Sequence, residues 1–385
     1  MELTSVSPER RGANGQRISP SRLQVARLRR GLTKADLANR IGISPSTLSK
    51  WEVDGPPAAR VEALLKLLVS ALDFPPDFFT ADEVDIPSLE RTLFRAGSRA
   101  TQRQKLAAIS FGVNAKILLN WLRSHFNYPS PDIPDLTGMA PAEAARYVRS
   151  VWALGDMAIP NSIQLAESKG VTVIGLPPAA SAVDAFSLWE DDQPFIFLAR
   201  RRTPEGTRFD LAHELGHLLL HSKSDPDSTT DRETEANEFA SEFLIPTDVI
   251  HANLRLYPSL DDILRLKSKL KVSAMAALMA VFNAGKLRDS QYRQYAGILS
   301  SRGFRTSEPG SDLQYERSRV FDFVFSPEGG QTARSIADAT HIPVQDLNFL
   351  TLNAAASAVP GLGPKVPSAP ASASSHRPNL RIVKS

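Results

Sequence analysis

The sequence contains no cysteine and no apolar run long enough to span a bilayer. Without cysteine the chain cannot form disulfides, cysteine-ligated zinc fingers, iron–sulfur clusters or a thiol nucleophile, so any metal site must use His, Asp or Glu. A bilayer requires ~20 apolar residues, whereas the longest candidate, residues 274–282, is shorter and is typical of a core helix. The first residues also lack the pattern of a secretory signal. We therefore expect a cytoplasmic protein with no membrane partner.

Positive charge is concentrated at the front of the chain. The 385 residues include 45 Lys and Arg and 42 Asp and Glu, for a net charge of +3. Residues 1–60 contain 11 basic and 5 acidic residues and carry +6, so the remainder carries −3. A basic segment at the front of a neutral protein favours a polyanionic partner for that segment.

Residues 18–56 predict three short helices joined by tight turns. The first helix, residues 21–30, ends before a glycine, and Thr33 with Asp36 forms a capping box for the second. Ser44 caps the third helix, and Pro45 follows at a position where its missing N–H costs nothing. Two short helices across a glycine-containing turn form a helix-turn-helix motif. The second helix directs four apolar residues to a core: Ala35, Leu37, Ala38 and Ile41.

Polar and basic side chains of this motif are suited to contact DNA. Hydroxyl and amino groups can meet base edges and phosphates, and on the third helix they belong to Ser44, Ser46, Thr47, Ser49 and Lys50. Phosphate contacts by counterion release are expected from Arg22, Arg29, Arg30, Lys34 and Arg40. Glu52 is expected to pair with Arg27 in a structural role. The simpler alternative is a helical bundle with a solvated basic face.

The run from Leu32 to Glu52 resembles the Cro/repressor-type helix-turn-helix of the XRE family. The resemblance implies binding to double-stranded operator DNA. Proteins of this kind usually bind as dimers, because operators have two-fold symmetry. We therefore expect a homodimer.

A second motif, His213-Glu214-Leu215-Gly216-His217, has the H-E-x-x-H pattern. Residues four apart share one face of a helix, so that both imidazoles can bind one metal ion. A catalytic zinc site needs three protein ligands and an open position. The acid of the motif, Glu214, can then take a proton from the attacking water and pass it to the leaving amine. Two solvated or core histidines on an amphipathic helix are the alternative.

Residues 208–221, together with residues 233–246, resemble the ImmA/IrrE family of metallopeptidases. The resemblance implies zinc as the cofactor, with Glu233 as the third ligand beside His213 and His217. Glu235 points to another face of its helix and is the second choice. Three roles remain open for His221, which could donate to an oxyanion, orient a ligand or cap its helix.

These patterns predict a mainly α protein with a small α+β part. Three strand-like runs, residues 171–174, 185–189 and 194–198, predict a short antiparallel sheet before the H-E-x-x-H helix of a zincin-like domain. The segments are a flexible arm (1–17), a helix-turn-helix domain (18–80), a helical linker region (81–160), a metallopeptidase core (161–250), a helical region (251–308), a small helical extension of unknown role (309–354) and a disordered tail (355–385).

Three functions fit this organisation. The first is a DNA-binding transcriptional regulator whose zinc-dependent metallopeptidase domain cleaves a partner repressor or antitoxin, or the protein itself. In the second, the metal domain is a non-catalytic sensing or structural module of a regulator. In the third, the front module only docks a substrate repressor. Glu214 favours catalysis, since a structural zinc site needs no general base.

Overall fold

The computed structural model describes residues 17–86, 102–177, 184–190, 192–200, 203–221 and 232–357. Within these ranges the protein is mostly helical and has one three-stranded sheet, as the sequence predicts. The arm up to residue 16 and the tail from residue 358 lie outside the described residues. None of the described helices is both long enough and apolar enough to cross a membrane.

The described secondary structure comprises eighteen α-helices, one short 3-10 helix and three strands. The helices of the first part are α1 (Pro20–Arg29), α2 (Lys34–Ile41), α3 (Pro45–Asp54), a 3-10 turn (Ala58–Arg60), α4 (Val61–Leu72), α5 (Pro76–Thr80), α6 (Gln102–His125), α7 (Pro141–Val151) and α8 (Ser162–Ser168). The strands are β1 (Thr172–Gly175), β2 (Ala185–Glu190) and β3 (Gln193–Leu198). The later helices are α9 (Pro204–Leu220), α10 (Arg232–Leu244), α11 (Thr247–Asn253), α12 (Leu260–Leu270), α13 (Ala274–Asn283), α14 (Asp289–Ser301), α15 (Arg319–Val324), α16 (Ala333–Thr340), α17 (Val344–Leu350) and α18 (Ala354–Ser357).

The caps predicted for the second and third helices are present. The Asp36 N–H donates to Thr33 Oγ1 at 3.0 Å, and the Thr33 N–H donates to Asp36 Oδ2 at 2.8 Å. Leu37, Ala38 and Ile41 are buried as expected. The expectation for Ala35 is wrong, because this residue is exposed. It precedes Leu37 by two positions, which rotates its side chain to the opposite side of the helix.

The sheet differs from the expected antiparallel meander. Its order is β1-β3-β2, with β2 and β3 antiparallel but β1 and β3 parallel. The antiparallel expectation for the whole sheet is therefore wrong. All six residues of β3 are buried, as befits a central strand covered on both faces. Strands β2 and β3 pair from Ala185 with Leu198 to Glu190 with Gln193, and β1 lies along the other edge of β3.

Hydrophobic packing continues across the predicted segment boundaries. The helix-turn-helix region has its own core, but Val113 of α6 belongs to it. Phe111 and Leu118 of the same helix belong to a second core, which also contains Phe197 of β3. Helix α6 therefore packs against both the helix-turn-helix region and the sheet.

The extension after residue 308 packs into the body of the protein. Val320, Phe321 and Val324 of α15 are buried in the core that also holds Phe126. The Glu316 carboxylate accepts hydrogen bonds from the backbone N–H groups at the start of α8, at 2.8 and 3.2 Å, which places an anion where helix N–H groups lack partners. The extension is therefore an integral part of this fold.

Candidate metal centre and DNA-binding surface

Three candidate metal ligands come together between α9 and α10. The two imidazole Nε2 atoms of His213 and His217 lie 3.1 Å apart. The Glu233 carboxylate lies 3.4 Å from each of them, with Oε2 near His213 and Oε1 near His217. One potential ligand atom from each of these three residues lies within 4.8 Å of the other two. The two histidines come together because they lie four residues apart on α9, which is about one helical turn.

Gly216 lets the two ligand-bearing helices approach each other. A Cβ atom at this position would lie 3.1 Å from Cδ1 of Phe239 on α10. That distance is shorter than ordinary van der Waals contact, so a side chain here would require the Phe239 ring or the helix that carries it to shift. The glycine inside the H-E-x-x-H motif thus brings Glu233 within reach of the two histidines.

Each ligand histidine has a hydrogen-bond partner on its other ring nitrogen. His213 Nδ1 lies 3.1 Å from Asn237 Oδ1, and His217 Nδ1 lies 3.0 Å from Nδ1 of His221. His221 Nε2 in turn lies 2.7 Å from a carboxylate oxygen of Glu235. Such partners fix the tautomer and the orientation of a ligand ring. This placement favours the orienting role among the three that were open for His221, and it gives Glu235 the position of a supporting acid.

Electrostatics at the ligands favour an anionic Glu233 and a neutral His217. Hydrogen bonds from His213 and His217 hold the pKa of Glu233 well below its usual value. Burial lowers the pKa of His217. For His213 burial acts in the same direction, but contacts with Glu233 and Glu214 outweigh it and raise the pKa.

Glu214 lies in a buried position beside the ligands. It is 6% exposed, and the hydroxyl of Ser187 on β2 donates to its Oε2 at 2.7 Å. Burial raises the pKa of Glu214 to about 7, although the nearby His213 and the Ser187 hydroxyl act in the opposite direction. A carboxyl group that titrates near neutrality can both accept and release a proton.

Two residues that support the site were not predicted from the sequence. Asn237 follows Glu233 by four positions, so helical spacing could have found it on the same face of α10. Ser187 gave no such signal, because its contact with Glu214 depends on how β2 packs against α9.

The helix-turn-helix surface presents the predicted polar side chains of α3. Ser44, Ser46 and Lys50 are exposed, and Thr47 and Ser49 are half-buried. The Ser44 hydroxyl accepts from the Thr47 N–H at 3.1 Å, so it also caps its helix. Arg40 is exposed, and Lys34 is half-buried with its amino group 3.7 Å from Glu52. The predicted pair of Arg27 and Glu52 is present, with two contacts of 2.5 and 2.9 Å.

Three arginines expected at phosphates are placed elsewhere. Arg22 is 7% exposed, its Nε donates to the Asp82 carbonyl at 2.5 Å and its guanidinium stacks over Phe78. Arg29 and Arg30 turn toward Asp346 of the extension. These positions correct our expectation for Arg22, Arg29 and Arg30, because sequence spacing does not reveal which charges tertiary packing buries.

Two family models match the chain, one in each of these regions. Residues 23–79 match the family model described as helix-turn-helix. Residues 166–282 match a peptidase family model described as IrrE N-terminal-like domain. The chain thus combines a region similar to helix-turn-helix domains with a later region similar to ImmA/IrrE domains. No curated protein matches it. The ImmA/IrrE-like match includes α9, α10 and all three candidate ligands.

Proposed function

We propose that the protein is a DNA-binding transcriptional regulator whose ImmA/IrrE-like domain is a zinc-dependent endopeptidase acting on a partner repressor or antitoxin. The observation that carries this proposal is the meeting of His213, His217 and Glu233 beside the buried carboxylate of Glu214. The helix-turn-helix domain in the same chain supports double-stranded operator DNA as the other partner. We propose that it binds as a homodimer, in keeping with operator symmetry.

The spacing of the candidate ligand atoms supports zinc as the metal. Zinc binds nitrogen and oxygen at ~2.0–2.1 Å, so two ligands of a regular tetrahedron lie about 3.3 Å apart. The observed separations are 3.1 Å between the two histidine Nε2 atoms, 3.4 Å from His213 Nε2 to Glu233 Oε2 and 3.4 Å from His217 Nε2 to Glu233 Oε1. Three side chains leave the fourth position for water or substrate, as catalytic zinc sites do. The outward Nδ1 atoms are engaged by Asn237 and His221, which leaves both Nε2 lone pairs for the metal.

Glu214 has the position and acidity of a general base. Bound zinc supplies a Lewis acid that polarises a substrate carbonyl and makes water more acidic. The Glu214 carboxylate takes a proton from the attacking water and delivers it to the amine that leaves when the peptide bond breaks. The Ser187 hydroxyl holds one oxygen of this carboxylate at 2.7 Å and fixes its direction.

A comparison of Glu214→Gln with the wild type tests the peptidase. We expect the variant to keep about one zinc ion per chain, because no ligand is lost, and to lose cleavage, because an amide cannot accept the proton. The measurement is a survey of new protein N-termini in cells that carry either form, combined with metal analysis of the purified proteins. New N-termini in a helix-turn-helix repressor or an antitoxin should appear only with the wild type.

Two further variants separate the outcomes. His217→Ala should lose both zinc and cleavage, whereas His251→Ala, which changes an exposed histidine on α11, should lose neither. Cleavage retained by Glu214→Gln would contradict the proposed mechanism. If the wild type binds zinc and DNA but no substrate is cut, the metal domain is the non-catalytic sensing or structural module of the alternative reading.

A further inference from the structure

A cavity of about 360 Å³ lies between the sheet and the extension, and it is lined by neither the metal ligands nor Glu214. It opens at the carboxyl ends of the two parallel strands, where β1 ends at Gly175 and β3 ends at Leu198. The ends of parallel strands are frequent ligand positions in proteins. The volume lies within the range of ~300–1,000 Å³ that is common for small-molecule sites.

Most of the cavity wall is apolar. Leu176, Leu198 and Ala199 line it from the sheet, and Phe349 and Leu352 line it from the extension. Leu198 is 2% exposed, and Leu176 is 6% exposed. Apolar walls of this kind favour the apolar body of an organic molecule over an inorganic ion.

The two carboxylates on the cavity wall are already neutralised. Glu316 forms an ion pair with Arg208 and accepts two backbone N–H groups at the start of α8. Asp322 pairs with Arg317, whose Nη2 lies 2.7 Å from Oδ1. A cationic ligand would therefore find no unpaired acid among these two.

Of the two arginines that line the cavity, Arg317 is paired with Asp322, and Arg200 supplies the remaining positive charge. Its guanidinium lies over the Tyr315 ring at 4.1 Å from the centroid, on the exposed side of the site. Among the residues that the structure describes, no carboxylate pairs with it. The N–H donors of a guanidinium lie in its plane, so contact between its face and a ring leaves them available. Two of these donors can bind the two oxygens of a carboxylate.

We propose that this cavity binds a small organic anion with an apolar body and one carboxylate. The apolar body fills the space between the sheet and α17, and the carboxylate meets Arg200. Because Phe349 of α17 lines the cavity, a bound molecule would contact the same helix whose Asp346 reaches the helix-turn-helix domain. The cavity shares no lining residue with the metal ligands or Glu214, so a test of its binding requires neither zinc nor peptide cleavage.

Calorimetric titration of the full chain with 2-naphthoate tests the proposal. Two probes with the same ring but another head group, 2-naphthylmethylamine and 2-naphthalenemethanol, serve as controls. We expect saturable binding of about one 2-naphthoate per chain and at least tenfold weaker binding of both controls, since a charge-assisted contact is lost.

Variants of the exposed Arg200 connect the binding to this cavity. Arg200→Gln should weaken 2-naphthoate binding about tenfold, and Arg200→Lys should retain most of the preference for the anion. The matched control is Arg302→Gln, which removes the same charge from an exposed position outside the cavity and should bind like the wild type. The proposal is overturned if 2-naphthoate does not saturate, if the amine binds as well, or if Arg200→Gln binds as tightly as the wild type.

Discussion

At the scale of single residues, the Glu235–His221–His217 chain gives a supporting acid a measurable role. When Nε2 of His217 faces a metal, its Nδ1–H donates to His221, and the Nε2–H of His221 donates to Glu235 at 2.7 Å. Removal of such an outer partner typically costs 10–100-fold in metal affinity. We therefore expect Glu235→Ala to weaken zinc binding by about tenfold or more, measured by competition with a chelating dye.

An adjacent acid provides the control for this prediction. Glu238 lies on the same helix as Glu235, is exposed, and is not one of the three candidate ligands. Glu238→Ala changes the charge of α10 by the same amount and should leave zinc affinity within about twofold. If both variants weaken zinc binding equally, the effect comes from the overall charge near the site and not from the contact between Glu235 and His221.

Spacing along one helix made part of the site predictable. The four-residue interval between His213 and His217 requires only that the segment be helical, and Glu233 followed from the family resemblance. Contacts between elements were not predictable in the same way. The Ser187–Glu214 bond and the burial of Arg22 both depend on tertiary packing, for which short-range periodicity carries no information.

At the scale of elements, Gly216 controls the distance between α9 and α10. An added methyl group would meet the Phe239 ring at 3.1 Å, so the helices must separate or the ring must move. We expect Gly216→Ala to lower the stability of the protein by about 1–3 kcal/mol, as overpacking does, and to weaken zinc binding, because Glu233 moves with α10. Thermal unfolding and zinc titration measure the two effects.

A second glycine separates this packing effect from helix propensity. Gly297 lies inside α14, and a Cβ there would meet no atom within 4 Å. Gly297→Ala should raise stability by up to about 1 kcal/mol, since alanine is the better helix former. A stabilising effect of both substitutions would show that α9 and α10 tolerate the extra methyl group.

The exposed basic residues of the helix-turn-helix domain predict how DNA binding depends on salt. Lys50 on α3 and Arg40 on α2 are exposed, so each can neutralise a phosphate. Replacing either by alanine should weaken DNA binding and reduce the slope of log affinity against log salt by about 1. Binding to duplex DNA across a range of salt concentrations measures this slope. Lys269→Ala, which removes the same charge from α12, should leave the slope unchanged; an equal change would assign the slope to net charge alone.

Local signals predicted the helices better than the sheet. The Thr33–Asp36 capping box and the glycine after α2 involve residues close together in the sequence, and both are present in the fold. The strand positions were also close to those observed, but the pairing of β1 with β3 was not foreseen. Two neighbouring apolar runs fit a parallel or an antiparallel partner equally well, because pairing direction depends on the path of the connecting chain.

At the scale of the whole molecule, the extension bridges the DNA-binding domain and the ImmA/IrrE-like domain. Its helix α17 packs against β1, where the Phe349 carbonyl approaches Gly175 so closely that any side chain at residue 175 would clash. On the same helix, the fully buried Asp346 contacts Arg29, the last residue of α1, at 2.6 Å and the following Arg30 at 3.2 Å. A segment whose role was unknown from the sequence therefore connects the two domains through buried charges.

Breaking this buried contact should loosen the DNA-binding domain from the rest. Asp346→Ala leaves Arg29, which is 5% exposed, without its counter-charge, and loss of one partner of a buried pair typically costs about 3–5 kcal/mol. We expect a lower unfolding temperature and faster hydrogen exchange in α1. The matched control is Asp338→Ala, which removes an exposed acid from α16 and should change neither. The double variant Arg29→Met with Asp346→Leu should recover most of the stability, because it removes both members of the buried pair together. The half-buried Arg30 keeps its hydrogen bonds to the Leu72 and Asp73 carbonyls. If Asp346→Ala alone matches the wild type in both measurements, the extension does not hold the two domains together.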